Sequence, residues 1–571
     1  MKKIILFILS AIAFSGALKA QNYYTSVSPL NIVSPDEMPV HEMRAVWLTT
    51  IGGLDWPHSY AQSPASVDKQ KAELCQILDK LHHSGINTVL LQSRVRATTI
   101  FPSDMEPWDG CLSGHPGKSP GYDALAFAID ECHKRGMQLH AWVVTIPVGK
   151  WNGTGCKALR AKMPSVIKKI GEDGYMNPES PATADYLARF CADITRRYDI
   201  DGIHLDYIRY PETWGKIKDR NVGREHITSI VRSIYNAVKS QKKWVMLSCS
   251  PIGKHDDLPR QWSHGWNARQ IVCQDAGKWM QTGLMDALFP MMYFKDNNFY
   301  PFAIDWQERS NGRIVAPGLG IYFMSPKEKN WPLTDISREL KVLRQYGMGH
   351  AYFRSKFFTD NTKGIYDYAT DELCPYPALV PPMKWYGFAA PQSPEAIQLD
   401  GNMLSWGAGK DNSDGPYLTY NIYGADEYPV DTRKAENILA VRLTSLSTSV
   451  AGRRFYAVTS VDRYGNESAP RQLNIPGLTD TKKAKKALIP SAVCPVITCK
   501  NVLKQSDLSK VFPLNSRNTV IIIESIQGNI VMTSPLYKEI DIKSLAPGMY
   551  VVRSIKKKKQ SHRLCFLKVE R

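Results

Sequence analysis

The chain alternates short apolar runs with longer amphipathic segments between residues 41 and 372. The apolar runs predict eight β-strands, and segments with apolar residues at helical spacing predict the helices between them. The predicted strands span residues 43–50, 87–94, 138–145, 201–210, 244–251, 285–294, 314–323 and 349–358. The clearest helical segments are 67–83, 122–135, 183–198, 224–240 and 335–346. Eight such βα units predict a closed (β/α)8 TIM barrel, which is an α/β fold. An open doubly wound sheet is less favoured, because it would lead us to expect a glycine-rich phosphate turn after the first strand, and the sequence has none there.

The pattern changes after the proline-rich segment 375–382. Residues 380–476 hold short apolar runs separated by turn residues, which is typical of a small β-sandwich. Within them, the run 455–468 resembles the last hairpin of a fibronectin type III domain. Residues 477–515 predict a basic linker, and residues 516–571 predict a small C-terminal β domain. Its stretch Leu-Ala-Pro-Gly-Met-Tyr-Val resembles the C-terminal sorting domains of the type IX secretion route.

Residues 1–20 have the charged start, apolar run and small-residue end of a secretory signal peptide, so we expect an exported protein. No later segment approaches the roughly 20 apolar residues that span a bilayer. The formal charge of +18 is uneven, since residues 481–571 carry 18 Lys and Arg against 5 Asp and Glu. We therefore predict no nucleic-acid groove in the barrel, and we expect any association with the cell envelope to run through the C-terminal domain.

The 11 cysteines are scattered without the paired spacing of zinc sites, and we predict no metal or other cofactor. Cys494 and Cys499 are close enough in sequence to form a disulfide in an oxidising compartment. Cys132 and Cys191 fall on apolar helix faces, which predicts core thiols.

The fourth predicted strand carries the leading candidate for chemistry. Alternation along it places Ile203 and Leu205 on one face and His204 and Asp206 on the other. Barrels keep their chemistry at the C-terminal ends of strands, so we expect Asp206 in the mouth with His204 one layer beneath it. Asp201, at the opposite end of the strand, is expected to be structural. A helix-capping role is the alternative for Asp206.

The other strand ends supply aromatic residues, arginines and carboxylates, which are typical of a carbohydrate site. The substrate-binding candidates are Trp47, Arg94, His140, Trp142, His204, Arg209, Tyr293 and Tyr322. A metal-dependent hydrolase that uses His140, His204 and Asp206 is the competing interpretation. It is less favoured because no strand has the His-x-His spacing that would put two ligands side by side.

Four segments in order resemble one known family. They are MRAVWLTT at 43–50, NTVLLQSR at 87–94, HKRGMQLHAW at 133–142 and DGIHLDY at 201–207. The family is glycosyl-hydrolase-like family 10, and the resemblance covers roughly residues 41–370. It implies a TIM-barrel hydrolase of bacterial envelope or extracellular glycans, and a characterised member type cuts peptidoglycan strands stripped of their stem peptides. The chain departs from the pattern in lacking a lipoprotein cysteine and in reading MMYFKD after the sixth strand, where Gln-x-Tyr-Trp is common.

We hypothesise glycoside hydrolysis by a pair of carboxyl groups, with Asp206 as nucleophile or base. Glu106 and Asp296 are the leading candidates for the partner acid, with Asp275 and Glu212 behind them. Arg94 and Arg209 are expected to hold Asp206 ionised and to bind a sugar carboxylate, or else to form structural salt bridges. A carbohydrate-binding protein built on an inactive barrel is the alternative function.

Overall fold

The computed structural model describes residues 38–473 and, beyond them, 496–499, 502–504, 520–525, 530–535, 539–542, 545, 548–555 and 563–568. The chain divides into two compact units, residues 1–473 and 474–571. The signal peptide predicted for residues 1–20 and the cysteine pair predicted at Cys494 and Cys499 involve positions outside the described residues. Among the described helices, none is long and apolar enough to cross a bilayer.

Parallel strands form a closed barrel in the first unit. The strands up to residue 372 are β1 (Arg44–Leu48), β2 (Thr88–Arg94), β3 (Gln138–Val144), β4 (Pro147–Lys150), β5 (Ile167–Ile170), β6 (Asp173–Met176), β7 (Gly202–Asp206), β8 (Met246–Cys249), β9 (Ala287–Leu288), β10 (Met291–Met292), β11 (Ile314–Val315), β12 (Gly318–Leu319) and β13 (His350–Tyr352). Strands β4, β5 and β6 make a separate antiparallel sheet beside the barrel mouth. The remaining strands pair in the order β10-β12-β13-β1-β2-β3-β7-β8-β9-β11.

This order is a ring of eight barrel strands because β9 and β10 are halves of one strand, and β11 and β12 are halves of the next. Backbone bonds continue across both interruptions: the Ala316 N–H donates to the Leu288 carbonyl at 2.9 Å, and the Gly318 N–H donates to the Pro290 carbonyl at 2.8 Å. The ring closes where β13 pairs with both β12 and β1. The predicted (β/α)8 barrel is confirmed.

Helices alternate with the barrel strands as predicted. They are α1 (Pro64–His83), α2 (Gly110–Ser113), α3 (Ala124–Lys134), α4 (Thr154–Lys162), α5 (Pro181–Arg197), α6 (Arg220–Gln241), α7 (Ala268–Ile271), α8 (Ala276–Gln281), α9 (Tyr300–Glu308), α10 (Leu333–Gln345), α11 (Ser355–Thr359) and α12 (Ile365–Asp367). Side-chain caps set the starts of some of these helices. Ser63 forms a capping box with Ser66 at the start of the first helix, and Asp123 caps the third.

The barrel core has two layers. Outward-facing strand residues pack on the helices, while inward-facing residues fill the barrel. Two glycines make room for large rings inside: a Cβ at Gly202 would lie 2.6 Å from the His140 ring, and one at Gly318 would lie 2.6 Å from the Trp47 ring. The interior is therefore a packed core rather than a channel.

A β-sandwich follows the barrel within the same unit. Its strands are β14 (Glu395–Asp400), β15 (Met403–Gly407), β16 (Thr419–Ala425), β17 (Ile438–Leu443), β18 (Ser447–Ser449), β19 (Phe455–Val461) and β20 (Arg471–Gln472). They form one sheet in the order β14-β15-β18 and a second in the order β17-β16-β19-β20. The predicted sandwich is confirmed, and its assignment to the fibronectin type III class stays a prediction.

The sandwich and the segment before it cover the N-terminal end of the barrel. Met383 and Tyr464 are buried in the same cluster as inward-facing barrel residues. Asp286, just before β9, accepts hydrogen bonds from the Trp385 indole at 2.9 Å and the Tyr386 hydroxyl at 3.1 Å. One end of the barrel is thus closed by protein, and the opposite end holds the mouth.

Almost all of the described residues of the second unit lie in β-strands, as predicted for the C-terminal domain. Its strands are β21 (Val496–Cys499), β22 (Val502–Lys504), β23 (Val520–Ser525), β24 (Ile530–Pro535), β25 (Glu539–Asp541), β26 (Gly548–Ile555) and β27 (Arg563–Lys568). Five of them pair in the order β21-β27-β26-β23-β24. Two strands, β21 and β22, lie within residues 477–515, which the sequence predicts as a linker. Their short apolar runs pair with β27 and β25.

Candidate active site

Asp206 lies at the C-terminal end of β7, at the barrel mouth, and is partly exposed. Three donors hold its carboxyl group. The Trp142 indole donates to Oδ2 at 3.1 Å, while the Ser250 hydroxyl and the Tyr207 amide donate to Oδ1 at 2.9 and 2.7 Å. These contacts come from the ends of three neighbouring barrel strands. The carboxyl group is therefore fixed in one orientation by the barrel itself.

Burial raises the pKa of Asp206 above its usual range. The hydrogen bond from Ser250, the charge of Arg209 and the bond from Trp142 act in the opposite direction without cancelling it. Because burial outweighs these contacts, Asp206 retains its proton to a higher pH than an ordinary Asp.

Three residues that follow Asp206 form a charged cluster at the rim. The Tyr207 hydroxyl donates to Glu212 Oε2 at 2.6 Å, and the Arg209 guanidinium pairs with Glu212 Oε1 at 2.8 Å. Arg209 also lies 3.8 Å from the centre of the Tyr207 ring. Tyr207 adopts a left-handed backbone with φ of 56°. This conformation turns the chain so that its amide faces Asp206 while its hydroxyl reaches Glu212.

Glu212 has the opposite electrostatic setting from Asp206. Burial alone would raise the pKa of Glu212, but the hydrogen bonds and charge of Arg209, with the bond from Tyr207, lower it overall. The Glu212 side chain keeps 37% of its exposure. The mouth therefore holds one carboxyl group that favours its proton and another that favours its charge.

Aromatic residues line the side of the mouth formed by the last three barrel strands. Tyr293 lies 5.8 Å from Tyr322 and 5.4 Å from Phe353, measured between ring centres. Burial raises the pKa of the Tyr293 hydroxyl well above its usual range, and the charges of Tyr322 and Asp206 act in the same direction. The structure brings the predicted Tyr293 and Tyr322 together. It adds Phe353, which the sequence analysis did not single out, while the preceding Tyr352 is buried against Phe358.

Three predicted binding residues lie in the barrel interior instead. The Trp47 indole donates to His204 Nε2 at 3.1 Å, and His204 Nδ1 contacts the Ser248 hydroxyl at 3.0 Å. Burial lowers the pKa of His204 well below its usual range and that of His140 to about 4. Both imidazoles are therefore neutral core groups. The prediction that His204 lies under Asp206 agrees with this placement.

Glu106 and Arg94 form a buried ion pair. Arg94 Nη2 lies 2.6 Å from Glu106 Oε1, the Tyr186 hydroxyl donates to the same oxygen at 3.0 Å, and both charged side chains are at most 1% exposed. Arg94 also donates to the Val144 and Thr145 carbonyls. This matches the structural salt bridge that the sequence left open for Arg94. It corrects the expectation that Glu106 faces the cleft.

Asp296 and Asp275 lie apart from the Asp206 contacts. Asp296 is exposed in a short turn after β10, and its charge acts on Lys295, Tyr300 and Glu339. Asp275 lies 3.6 to 4.0 Å from His255, Arg224 and Arg269. The structure joins Glu212, the last of the candidates, to Asp206 through Tyr207 and Arg209. Ser250 is the residue that sequence reasoning missed, although it ends a predicted strand.

Within the described residues, no three side chains of the His, Cys, Asp and Glu types come together as a metal site requires. The polar atoms around Asp206 are a hydroxyl, an indole and a backbone amide, which are donors rather than metal ligands. The chemistry that these residues suit is proton transfer to and from a bound substrate.

Comparison with known proteins connects this site to glycosyl hydrolases. Residues 42–222 match the family model described as Glycosyl hydrolase-like 10. Glycosyl hydrolase YngK of Bacillus subtilis is 28% identical over 480 residues, which cover 75% of this chain and 92% of that protein. Glycosyl hydrolase DigH of Escherichia coli is 30% identical over 290 residues, which cover 44% of this chain and 65% of that protein. The glycoside hydrolase domain of PgaB (BpsB) from Bordetella bronchiseptica aligns with a TM-score of 0.40 and 13% identity over 58% of this chain and 98% of that one. The part of the chain from β1 to β7, which ends in Asp206, thus carries the match to Glycosyl hydrolase-like 10.

Proposed function

We propose that this protein is an exported glycoside hydrolase that acts on a bacterial envelope glycan or another complex glycan, with Asp206 as a catalytic carboxyl group. The observation that carries the proposal is the fixed orientation of Asp206 at the barrel mouth, with bonds from Trp142, Ser250 and Tyr207. Barrel enzymes place catalytic groups at this position. The similarity of residues 42–222 to Glycosyl hydrolase-like 10 supports the reaction class.

The opposite electrostatic settings of Asp206 and Glu212 support different roles for the two carboxyl groups. A general acid needs a raised pKa and its partner a lowered one, which are the directions found here. Asp206 donates its proton to the oxygen of the leaving sugar, and the glycosidic C–O bond breaks. The Glu212 carboxylate accepts a proton from the attacking water, or attacks the anomeric carbon itself. This reverses the sequence-based hypothesis, in which Asp206 was the nucleophile or base.

Peptidoglycan strands are the proposed substrate class. Tyr293, Tyr322 and Phe353 offer ring faces on which sugar C–H groups stack. Arg209, which pairs with Glu212 at 2.8 Å, brings a positive charge to the mouth that would attract a substrate carboxylate such as the lactyl group of muramic acid. The resemblance to a family with a peptidoglycan-cleaving member supports the same substrate.

Export and envelope association are part of this proposal. The signal-like residues 1–20 and the sorting-like stretch Leu545–Val551 support them. Secretion of the full chain from a host that carries a type IX route, compared with a chain truncated after residue 515, tests whether the C-terminal domain is a sorting signal.

Incubation of the purified protein with denuded peptidoglycan, intact peptidoglycan and common plant and host glycans tests the function, with released fragments identified by mass spectrometry. Wild type is expected to release fragments from denuded peptidoglycan, and the Asp206→Asn variant is not. Asp296→Asn is the matched control, because this exposed carboxylate contacts neither Asp206 nor Glu212, and it is expected to behave as wild type. Equal products from wild type and Asp206→Asn on every glycan would refute the assignment.

A carbohydrate-binding protein without catalysis is the second candidate. The observation that favours it is that Glu106 and Asp296, the leading predicted acids, do not stand beside Asp206. Retained binding of a glycan without release of fragments would select this function.

A further inference from the structure

The loop between β8 and α7 presents two tryptophans to solvent. Trp262 is 61% exposed and Trp266 is 42% exposed. The Trp262 ring lies 4.4 Å from the His264 ring, centre to centre. Burying an aromatic side chain of this size contributes more to folding than burying almost any other residue. Two exposed indoles in one loop therefore do not serve the stability of the barrel.

The loop is held rigidly at its base and its tip. At the base, the Ala268 amide donates to the Lys254 carbonyl at 2.8 Å, and the Arg269 amide donates to the His255 carbonyl at 2.9 Å. Near the tip, Leu258 and Gln261 exchange two backbone hydrogen bonds of 3.0 and 3.1 Å.

A carboxylate also supports the tip from within. Asp257 accepts a hydrogen bond from the Ser263 amide at 2.8 Å and another from the Ser263 hydroxyl. The Trp266 amide in turn donates to the Ser263 carbonyl at 3.2 Å. The indoles are thus presented by a fixed scaffold, which reduces the entropy lost when a ligand binds.

The loop starts from the strand end that also positions the reactive carboxyl group. Ser250, which donates to Asp206 at 2.9 Å, directly follows β8, and the chain then enters the loop. Loops at the C-terminal ends of barrel strands lie on the face that holds the catalytic groups. Trp262 and Trp266 therefore lie on the same face of the barrel as Asp206, in the loop that follows the neighbouring strand β8.

We propose that the loop 255–267, here called the aromatic arm, binds pyranose rings of a long glycan chain outside the reactive subsite. This inference rests on the proposed function and deepens it: the substrate is a polymer that extends across the mouth toward β8, and not a short oligosaccharide. Flat indole faces stack on the C–H faces of sugar rings and need no charge complement. A rigid arm with two such faces suits repeating units of one chain.

Binding separates this inference from catalysis. We would measure co-sedimentation of the Asp206→Asn variant with denuded peptidoglycan strands, chitin and xylan. Replacing both Trp262 and Trp266 by Ala in that background is expected to weaken binding to at least one of these polymers about tenfold. Tyr428→Ala is the control, because Tyr428 is an exposed aromatic residue of the sandwich at 37% exposure. It is expected to leave binding unchanged.

The hydrolysis of long and short substrates gives the second readout. In the active protein, replacing both tryptophans is expected to raise KM for long strands about tenfold and to leave kcat and the hydrolysis of disaccharide-length fragments unchanged. Absence of fragment release from every glycan, with binding still dependent on the tryptophans, would overturn the hydrolase proposal and leave the aromatic arm standing. Equal binding with and without the tryptophans, or no binding to any of the three polymers, would overturn the aromatic arm.

Discussion

Asp201 and Asp206 lie at opposite ends of β7, and their surroundings differ in kind. Asp201 contacts two arginines, Arg463 at 3.3 Å and Arg442, and the His133 ring at 2.9 Å. Burial alone would raise the pKa of Asp201, but these partners hold it well below its usual range. Asp206 has neutral donors instead, and burial raises its pKa. One strand thus carries a carboxylate locked in its charged form at one end and a carboxyl group that favours its proton at the other.

The difference separates stability from function within one barrel. At the N-terminal end, Arg442 and Arg463 come from the sandwich, so the Asp201 cluster fastens the sandwich to the barrel. Because its pKa is held low, the paired Asp201 carboxylate stays ionised near neutral pH and does not exchange a proton. At the C-terminal end, the missing counter-ion leaves Asp206 able to do so. The two ends should therefore respond differently to the same Asp→Asn change.

The largest effect is expected from Asp206→Asn on activity. The amide cannot donate a proton to the leaving oxygen, and general acid catalysis is worth about 10²–10⁴-fold. We expect kcat to fall by about that factor, measured as reducing ends released from denuded peptidoglycan. The amide oxygen can still accept from Ser250 and Tyr207, but the amide NH2 group cannot accept from the Trp142 indole, so the free energy of unfolding should fall by about 1–3 kcal/mol.

Asp201→Asn should show the reverse behaviour. Removing this charge from a buried ion cluster leaves Arg442 without its counter-ion and Arg463 with only the half-exposed Asp199, which costs about 3–5 kcal/mol of the free energy of unfolding. Activity per folded molecule should be unchanged. Asp199→Asn is the control, because Asp199 also contacts Arg463, at 3.1 Å, but its side chain is 41% exposed. Its expected cost is below about 1 kcal/mol.

The pH dependence of the unfolding free energies of wild type and Asp201→Asn provides a further test of the Asp201 ion cluster. A carboxylate with a lowered pKa in the folded state contributes stability above its unfolded pKa and loses it as pH falls. The difference in unfolding free energy between wild type and Asp201→Asn should therefore be constant at neutral pH and shrink below about pH 5. A difference that grows on acidification would contradict the ion cluster.

The barrel and the position of Asp206 could be predicted from the sequence because both depend on local pattern. Alternation along β7 fixes which side chains face inward, and the end of the strand fixes which of them reaches the mouth. The ends of β1 and β3 obey the same rule, but Trp47 and Trp142 illustrate its limit. Alternation predicts that both indoles point into the barrel. It does not predict their depth: Trp47 lies below the mouth and bonds His204, while Trp142 bonds Asp206.

The partners of each carboxylate could not be predicted, because they depend on contacts between distant parts of the chain. Arg442 and Arg463 look like surface charges of a sandwich, yet they meet Asp201 more than 200 residues away. Glu106 looks like a free acid on a long loop until Arg94 and Tyr186 are brought beside it. Ser250 shows no sign in the sequence that its hydroxyl reaches Asp206. These pairings depend on how the barrel strands meet and on how the sandwich packs against the barrel.

Glu212→Gln should have an intermediate effect. The amide cannot accept the proton of the attacking water, and we expect kcat to fall about 10²-fold on denuded peptidoglycan. Glu179→Gln is the matched control, because this exposed carboxylate pairs with Lys168 at 3.8 Å. Wild-type activity of Glu212→Gln would exclude Glu212 as the second catalytic carboxyl group and leave Asp206 as the one catalytic carboxyl group proposed.

The smallest effect is expected from Ser250→Ala, and it tests the protonation of Asp206. The Ser250 hydroxyl lowers the pKa of Asp206, so its loss should raise that pKa further. Because the proposed acid must be protonated, the kcat of the wild type should fall as the pH rises through the pKa of Asp206. In Ser250→Ala this alkaline limb should move to higher pH. The kcat of the variant at its optimal pH should fall up to about tenfold. Thr145→Val is the matched control, since the Thr145 hydroxyl donates to the Asp206 main-chain carbonyl at 2.8 Å and leaves the carboxyl group alone. A shift of the acid limb instead would mean that Asp206 works in its ionised form, as nucleophile or base, and would exchange the roles of the two carboxyl groups.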